Sequence, residues 1–374
     1  MLTIARNAAR GLRNRIRDAR TVRQVEAIRA RGDGTSTPFP NLVTLEPTRR
    51  CNLHCVMCYT SEVERYTRMD ELSVEEIDRV FSELPVKRVN LVGGEVFIRK
   101  DIFQIMDNLV RRGIVIENVT TNGTLLDEEK AARLAEYIKR KQLSGLTFSI
   151  DGEEEMHNAI RKSPKAFELT MRGIAQVLEA LKARGVEPRK HVKITSVVTP
   201  DNVAVFSKVV GVAARAGVPT VQYNHLICAT EAEIQATEMM LGLPRAEVDT
   251  WIVPDLEGKI RSEDVLKEMA VAEAEGAKHG IRVHFRPAKD PAGVKAHYAN
   301  QGPFGGTCWS PFDNCRITFS GKVNYCLLLR SEMGDVRTQS VAEIWNGEKF
   351  RRLRKELLAA PYPICRRCCK LSPG

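Results

Sequence analysis

An α/β fold with a parallel sheet is predicted for this 374-residue chain by three observations. Short β-branched runs alternate with longer helical segments, polar or glycine-rich motifs follow successive runs, and the ten cysteines, Cys228 apart, gather towards the two ends of the chain. Alternating βα units give a parallel sheet. Six of them are too few for a complete eight-stranded barrel, so the residues leave two architectures, an open, partly closed barrel or a doubly wound sheet. In both, ligands bind where the strands end.

The first element is a basic amphipathic helix over residues 1 to about 31, where Leu2, Ala5, Ala8, Ala9, Leu12, Ile16, Ala19 and Val22 recur at helical spacing among arginines. It suits an anionic membrane surface, a presequence, or packing on its own domain. After the turn-rich Gly32 to Pro40, strands are predicted at Leu42–Leu45, Arg88–Val92, Val115–Thr120, Leu146–Ile150, Val192–Val198 and Thr220–Asn224. The intervening helices carry their own punctuation. Ser73 and Glu76 form a capping-box pattern, and Ile102, Ile105, Met106 and Leu109 line one face before Gly113. Phe167, Met171, Ile174, Val177, Leu178 and Leu181 do the same before Gly185. Beyond Cys228 a mainly helical stretch is expected to about Gly280, then a loop-rich segment from Pro287 to Gly306. These readings divide the chain into an extension over 1–40, a barrel over 41–226, a linker over 227–307 and a small Cys-rich module over 308–374.

Composition limits the function. With 43% hydrophobic and 28% charged residues and no apolar run near the roughly 20 residues that cross a bilayer, the chain reads as globular, with room for about two domains. A net charge of +10 favours an acidic partner, but aromatics are only 6% and do not interleave with the basic residues, so nucleic acid is not the expected one. Met1 to Ile4 is too short for a secretory core and Arg6 follows it, so a cytoplasmic, reducing location is expected. There, clustered cysteines are metal ligands or catalysts.

Directly after the first strand, Cys51, Cys55 and Cys58 stand at C-x3-C-x2-C spacing in one short loop. Three thiolates can hold three irons of a [4Fe–4S] cube and leave the fourth open. The alternative is a zinc ion with His54 as fourth ligand. Gly93-Gly94-Glu95 follows the second strand, Thr121-Asn122-Gly123 the third, and Ser149-Ile150-Asp151-Gly152 the fourth, so these motifs converge on one mouth. His157 and Arg161, spaced i, i+4, share a helical face nearby.

This constellation resembles the radical S-adenosylmethionine (radical SAM) superfamily, which implies a partial (β/α)6 barrel whose open iron is chelated by the amino and carboxylate groups of S-adenosylmethionine. By the resemblance, Gly93 and Gly94 meet the methionine amino group with Glu95 adding a charge, and Tyr59 lies against adenine. Asn122, Ser149 and Asp151 sit near ribose or carboxylate, Arg161 meets the cofactor carboxylate or else pairs with Glu153 or Glu154, and Ser196 and Asn202 are further ribose candidates. Val96 stands where the family usually has proline.

In the tail, Cys308 opens a second cysteine group, Gly321 precedes Cys326 in a hairpin pattern, and Cys365 and Cys368 form a final C-x2-C. With the Gly334-Asp335-Val336 turn and the Ile344-Trp345-Asn346 helix, this order resembles the SPASM or twitch extension of radical SAM enzymes. The resemblance implies one auxiliary [4Fe–4S] cluster on Cys308, Cys326, Cys365 and Cys368, with Cys315 and Cys369 as possible substitutes. A four-cysteine zinc knuckle is the alternative, and Cys228 reads as a buried small hydrophobe.

The family chemistry implied is reductive cleavage of S-adenosylmethionine to a 5′-deoxyadenosyl radical that takes a hydrogen atom from substrate. Flavodoxin or ferredoxin is the expected electron donor, and the auxiliary cluster assists an oxidation. His284, Arg286, His297 and Tyr298 are candidate substrate contacts in the linker, where no acid–base role can be assigned. Forty residues before the barrel are too few for the leader-binding domain of many peptide modifiers, which favours a small-molecule or sugar-like substrate. A peptide-modifying maturase is the alternative, and a non-catalytic iron–sulfur electron carrier is the alternative of another class.

Overall fold

The computed structural model describes residues 23, 25–36, 39–40, 42–58, 70–242, 251–252, 256–287, 290–299, 307–326, 328–329, 331–368 and 371–372. Each of the six runs expected as strands forms one: β1 (Leu42–Leu45), β2 (Arg88–Leu91), β3 (Val115–Thr121), β4 (Leu146–Ser149), β5 (Val192–Val198) and β6 (Thr220–His225). They pair in parallel in that order. A seventh parallel strand, β7 (Arg282–Arg286), joins β6 at the edge. At the other edge the cysteine-rich tail supplies β8 (Asn314–Ile317), parallel to β1, followed by antiparallel β9 (Lys322–Asn324) and β10 (Gly334–Asp335). Among the described residues these ten strands make one open sheet, ordered β10-β9-β8-β1-β2-β3-β4-β5-β6-β7. The architecture is α/β, a partial barrel with the C-terminal hairpin built onto its first strand.

Helices connect the parallel strands: α1 (Val74–Ser82), α2 (Ile102–Arg111), α3 (Glu128–Lys139), α4 (Glu154–Arg161), α5 (Ala166–Ala183) and α6 (Val209–Ala216). The predicted capping box on α1 is complete: Glu76 N–H donates to Ser73 Oγ at 3.1 Å and Ser73 N–H donates to Glu76 Oε2 at 2.7 Å. Against this layer the sheet buries Val43, Leu45, Val89, Leu91, Phe148, Ile194, Val221 and Tyr223 completely. Each such side chain contributes about 1.5–3 kcal/mol.

The opposite, inner face is polar. Thr147 donates to Asn118 at 2.7 Å, Asn224 to Thr195 at 2.8 Å, Gln222 to Asn224 at 3.0 Å and Lys193 to Gln222 at 3.4 Å. A closed eight-stranded barrel fills this space with branched apolar side chains; here hydrogen-bonding groups line it.

The linker contains α7 (Glu231–Leu241), α8 (Ser262–His279) and α9 (Pro291–Tyr298). The last lies within the segment expected to be loop. Asp290 caps it by accepting from Gly293 N–H at 2.7 Å, and Pro291 occupies its first turn, where a missing N–H costs nothing. The tail adds α10 (Val341–Trp345) and α11 (Glu348–Ala359). Of the basic N-terminal helix, residues 1–22 lie outside the described residues. Residues 25–31 are helical, and Val25 and Ile28 pack on Phe312 of the tail. Among the described residues no helix is long and apolar enough to cross a membrane.

Candidate active site

The loop after β1 is held from several directions before it reaches its first cysteine. Glu71 accepts both guanidinium donors of Arg50, at 2.8 and 3.0 Å, and also binds the Thr48 hydroxyl. Buried Arg99 donates to the carbonyls of Pro47 at 2.7 Å and Leu72 at 2.8 Å and pairs with Asp101 at 2.6 Å. The two ends of the segment from Arg50 to Glu71 are thereby tied together. Between them Cys51, Cys55 and Cys58 are partly buried thiols, with Cys58 N–H donating to the Cys55 carbonyl at 3.1 Å. Val56 N–H donates to the Ile160 carbonyl at 2.9 Å, which docks the loop on α4.

Gly93 and Gly94 face this loop. Gly94 N–H donates to the Thr48 carbonyl at 3.0 Å and Glu95 N–H to the Arg50 carbonyl at 2.8 Å. Gly93 has φ 154°, and a Cβ there would overlap the Thr48 carbonyl oxygen; one on Gly94 would overlap those of Arg49 and Arg50. Both glycines are therefore required by the close approach of the cysteine loop, whatever else they touch. Glu95 is completely buried and points inward: it accepts from Asn122 N–H and Thr121 Oγ1 at 2.7 Å and from Phe97 N–H at 3.2 Å. Burial pushes its carboxyl up, opposed by these bonds. Its observed partners tie the end of β2 to the end of β3.

Asn122 reaches Cys51 Sγ with its Nδ2 at 3.9 Å and Asn52 Oδ1 at 3.0 Å, while Thr124 donates back to its Oδ1 at 2.7 Å. Arg161 donates to Cys55 Sγ at 3.4 Å and pairs with Asp151 at 2.5 Å. The surface pairing with Glu153 or Glu154 is not the observed one; Glu153 faces Lys208 and Arg215. Asp151, completely buried, also accepts from Val197 N–H at 3.0 Å, and its carbonyl accepts from Asn202 Nδ2 at 3.0 Å. His157 takes a bond from Asp151 N–H at 3.2 Å through Nδ1, and burial, aided by Arg161, lowers its ring to about 3. It stays neutral and orients the strand end.

Thus Cys51, Cys55, Cys58, Gly93, Gly94, Glu95, Asn122, Asp151 and Arg161 form one bonded constellation. Ser149 is partly buried on the inner face, opposite Thr195. Ser196 projects the other way: it pairs with Tyr223, whose ring packs on Phe206 in the outer layer. Its side chain is buried there, on the face opposite that of Ser149 and Thr195. Tyr59 lies outside the described residues. Thr48, Arg50, Glu71 and Arg99 carried no sequence signal, because the contacts by which they hold this loop, Thr48 and Arg50 to Glu71 and Arg99 to Pro47 and Leu72, join positions distant in sequence.

In the tail, Cys308 and Cys365 are buried and Cys326 and Cys368 partly so. Burial together with the neighbouring Cys326 and Cys308 sulfurs pushes the Cys365 thiol well up. Cys368 follows one short turn later, its N–H donating to the Cys365 carbonyl at 3.0 Å. Cys315 is elsewhere, buried in β8 opposite Val43, and Cys369 lies outside the described residues. Cys228 is buried in the main core, its thiol pushed up to about 12 by desolvation. Of the linker candidates, His284 and Arg286 are exposed and share the inner-face register of Gln222 and Asn224. His297 and Tyr298 are buried; Tyr298 bonds His225 at 2.9 Å and His297 faces the Leu226 carbonyl at 3.3 Å.

Both groups fit iron–sulfur clusters by donor chemistry: thiol sets without disulfides, one of three beside cationic and amide donors, one of four. Among the described residues no three Cys, His, Asp or Glu side chains sit close enough to hold a single metal ion, whereas a cube spreads its thiolates wider. Residues 45–206 match the radical SAM superfamily model and residues 308–369 the model of SPASM, an iron–sulfur cluster-binding domain. AdoMet-dependent heme synthases of Nitratidesulfovibrio vulgaris and Methanosarcina barkeri are 27% and 28% identical, over 86% and 88% of this chain and 83% and 89% of their own. Streptococcus suis SuiB bound to S-adenosylmethionine shares the fold at TM-score 0.61 and 14% identity, over 87% of this chain and 70% of that one. So does anSMEcpe with bound AdoMet, at TM-score 0.56 and 19% identity over 83% and 82%. The chain carries a radical SAM domain followed by a C-terminal SPASM domain, and its cofactors are S-adenosylmethionine, a [4Fe–4S] cluster and auxiliary iron–sulfur.

Proposed function

We propose that this enzyme is an oxidoreductase acting on an anionic small molecule, with carboxylate-bearing iron tetrapyrroles as the class to test first. The observation that carries the reading is the inner face of the barrel. In adjacent register rows it presents Thr195, Gln222 and His284, then Val197, Asn224 and Arg286, with Lys193 donating to Gln222 at 3.4 Å, a mainly polar surface with cationic groups suited to carboxylates. The heme synthases that align over most of this chain make a tetrapyrrole the natural first candidate.

In the loaded enzyme the cluster and S-adenosylmethionine supply a carbon-centred radical that removes a hydrogen atom from substrate. Cys51, Cys55 and Cys58 hold that cluster, and Asn122 and Arg161 place hydrogen-bond donors at the sulfurs of Cys51 and Cys55. Asp151 holds Arg161, while Gly93 and Gly94 let the loop close against the strand ends. Cys308, Cys326, Cys365 and Cys368 hold one auxiliary cluster, and flavodoxin or ferredoxin delivers the electron.

The test is hydrogen transfer. The anaerobically reconstituted enzyme is given S-adenosylmethionine, reductant and, in turn, deuterated iron tetrapyrrole carboxylate, aminosugar and peptide. Deuterium in 5′-deoxyadenosine from the tetrapyrrole, reduced by Arg286→Ala, supports the proposal; deuterium only from the peptide overturns it.

A further inference from the structure

The final C-x2-C turn is pinned to the linker by a buried charge cluster. Glu233 on α7 pairs with Arg367 at 2.6 Å and Arg366 at 2.8 Å. Arg367 also donates to the Ala299 carbonyl at 3.0 Å, and Ile364 N–H donates to Thr237 Oγ1 at 3.1 Å. Glu233 is itself fixed by its capping box, accepting from Thr230 N–H at 2.8 Å. Arg367 has no exposed surface, and it lies between Cys365 and Cys368 in sequence. Both guanidinium groups of the turn that carries Cys365 and Cys368 thus meet the Glu233 carboxylate. Arg367 Nε is also buried, with no hydrogen-bond partner among the described residues. A buried guanidinium N–H left without an acceptor is costly, and a thiolate or sulfide is the acceptor this turn would supply.

We infer that Arg367, held in place by Glu233, sets the reduction potential of the auxiliary cluster bound through Cys365 and Cys368. The inference rests on the assignment of those two cysteines as ligands. Buried positive charge and hydrogen bonding at sulfur both favour the reduced cluster, so both raise its potential. Arg367 is thus a tuning and positioning residue, and α7 is the element through which the substrate-side linker grips the cluster turn.

The experiment is an EPR-monitored redox titration of the reconstituted full-length protein, with the first cluster as internal reference. Arg367→Gln should move the second cluster's midpoint to more negative potential, Arg367→Lys by less. Glu233→Gln, which keeps the guanidinium and removes its opposing charge, should move it the other way. The first cluster's midpoint should not move. Unshifted second-cluster midpoints at full iron load would overturn the inference. If Arg367→Gln fails to bind the cluster, the sign of the Glu233→Gln shift decides, and a negative or absent shift counts against it. Cys365→Ala/Cys368→Ala tests the ligand assignment separately: a second cluster that survives there refutes the assignment itself.

Discussion

The two cysteine groups use the same ligand in opposite settings. In the barrel, three partly buried thiols stand at a mouth of polar side chains, with Asn122 and Arg161 reaching Cys51 and Cys55. In the tail, Cys308 and Cys365 are buried around Tyr325, and the nearby cation is locked to Glu233. Three ligands leave a coordination position for chemistry, whereas four close the site. On the proposed ligand sets, the comparison teaches that thiolate number and the surrounding wall, rather than the thiolate itself, separate a cluster with an open iron from one closed by protein.

The largest effects should come from removing ligands. Cys51→Ala/Cys55→Ala/Cys58→Ala should lower the iron load from about eight to about four per chain while the second cluster's EPR signal stays. Cys365→Ala/Cys368→Ala should give the mirror result, with the first signal retained. If either variant loses both clusters without unfolding, the two sites are not independent, and the comparison fails.

Next is the charge at the barrel mouth. Asp151→Asn leaves Arg161 buried without its counter-charge, a change that costs about 3–5 kcal/mol. Urea unfolding of the protein without cofactor should show that loss. A difference below 1 kcal/mol would mean the pair is not a structural element of the mouth. Gly94→Ala should destabilise by about 1–3 kcal/mol and reduce iron at the first cluster only, because the added methyl overlaps the backbone just before Cys51. Equal iron loss at both sites would contradict this local effect.

The smallest effect is a slope. His157 titrates near 3 when folded, below the roughly 6.5 of an unfolded chain. Between those values the unfolded state binds a proton that the folded state cannot, so stability falls as pH drops through that window. The slope is at most about 1.4 kcal/mol per pH unit. His157→Gln should flatten it, and an unchanged slope would place the titration elsewhere.

How much the sequence reveals follows the same physics. The six barrel strands are legible because their buried faces need β-branched or aromatic residues at every second position. Strand β7 is not: Arg282, His284 and Arg286 are exposed on an edge, and only Val283 and Phe285 carry the apolar signal. The pairing of β8 with β1 is invisible for another reason, since it joins residues about 270 positions apart and is secured by Arg316 and Glu46 at 2.9 Å. Local spacing brings out the cysteine triad and the glycine motifs. It does not show that Glu95 is spent on Thr121, Asn122 and Phe97, or that Ser196 points to the helices.

The most direct test is 5′-deoxyadenosine formation by the anaerobically reconstituted enzyme under strong reductant, in the presence of the iron tetrapyrrole, aminosugar and peptide panel. The account predicts product from the native protein and none from Cys51→Ala/Cys55→Ala/Cys58→Ala. Product from that variant, or none from a native protein carrying both clusters and bound S-adenosylmethionine, would contradict it.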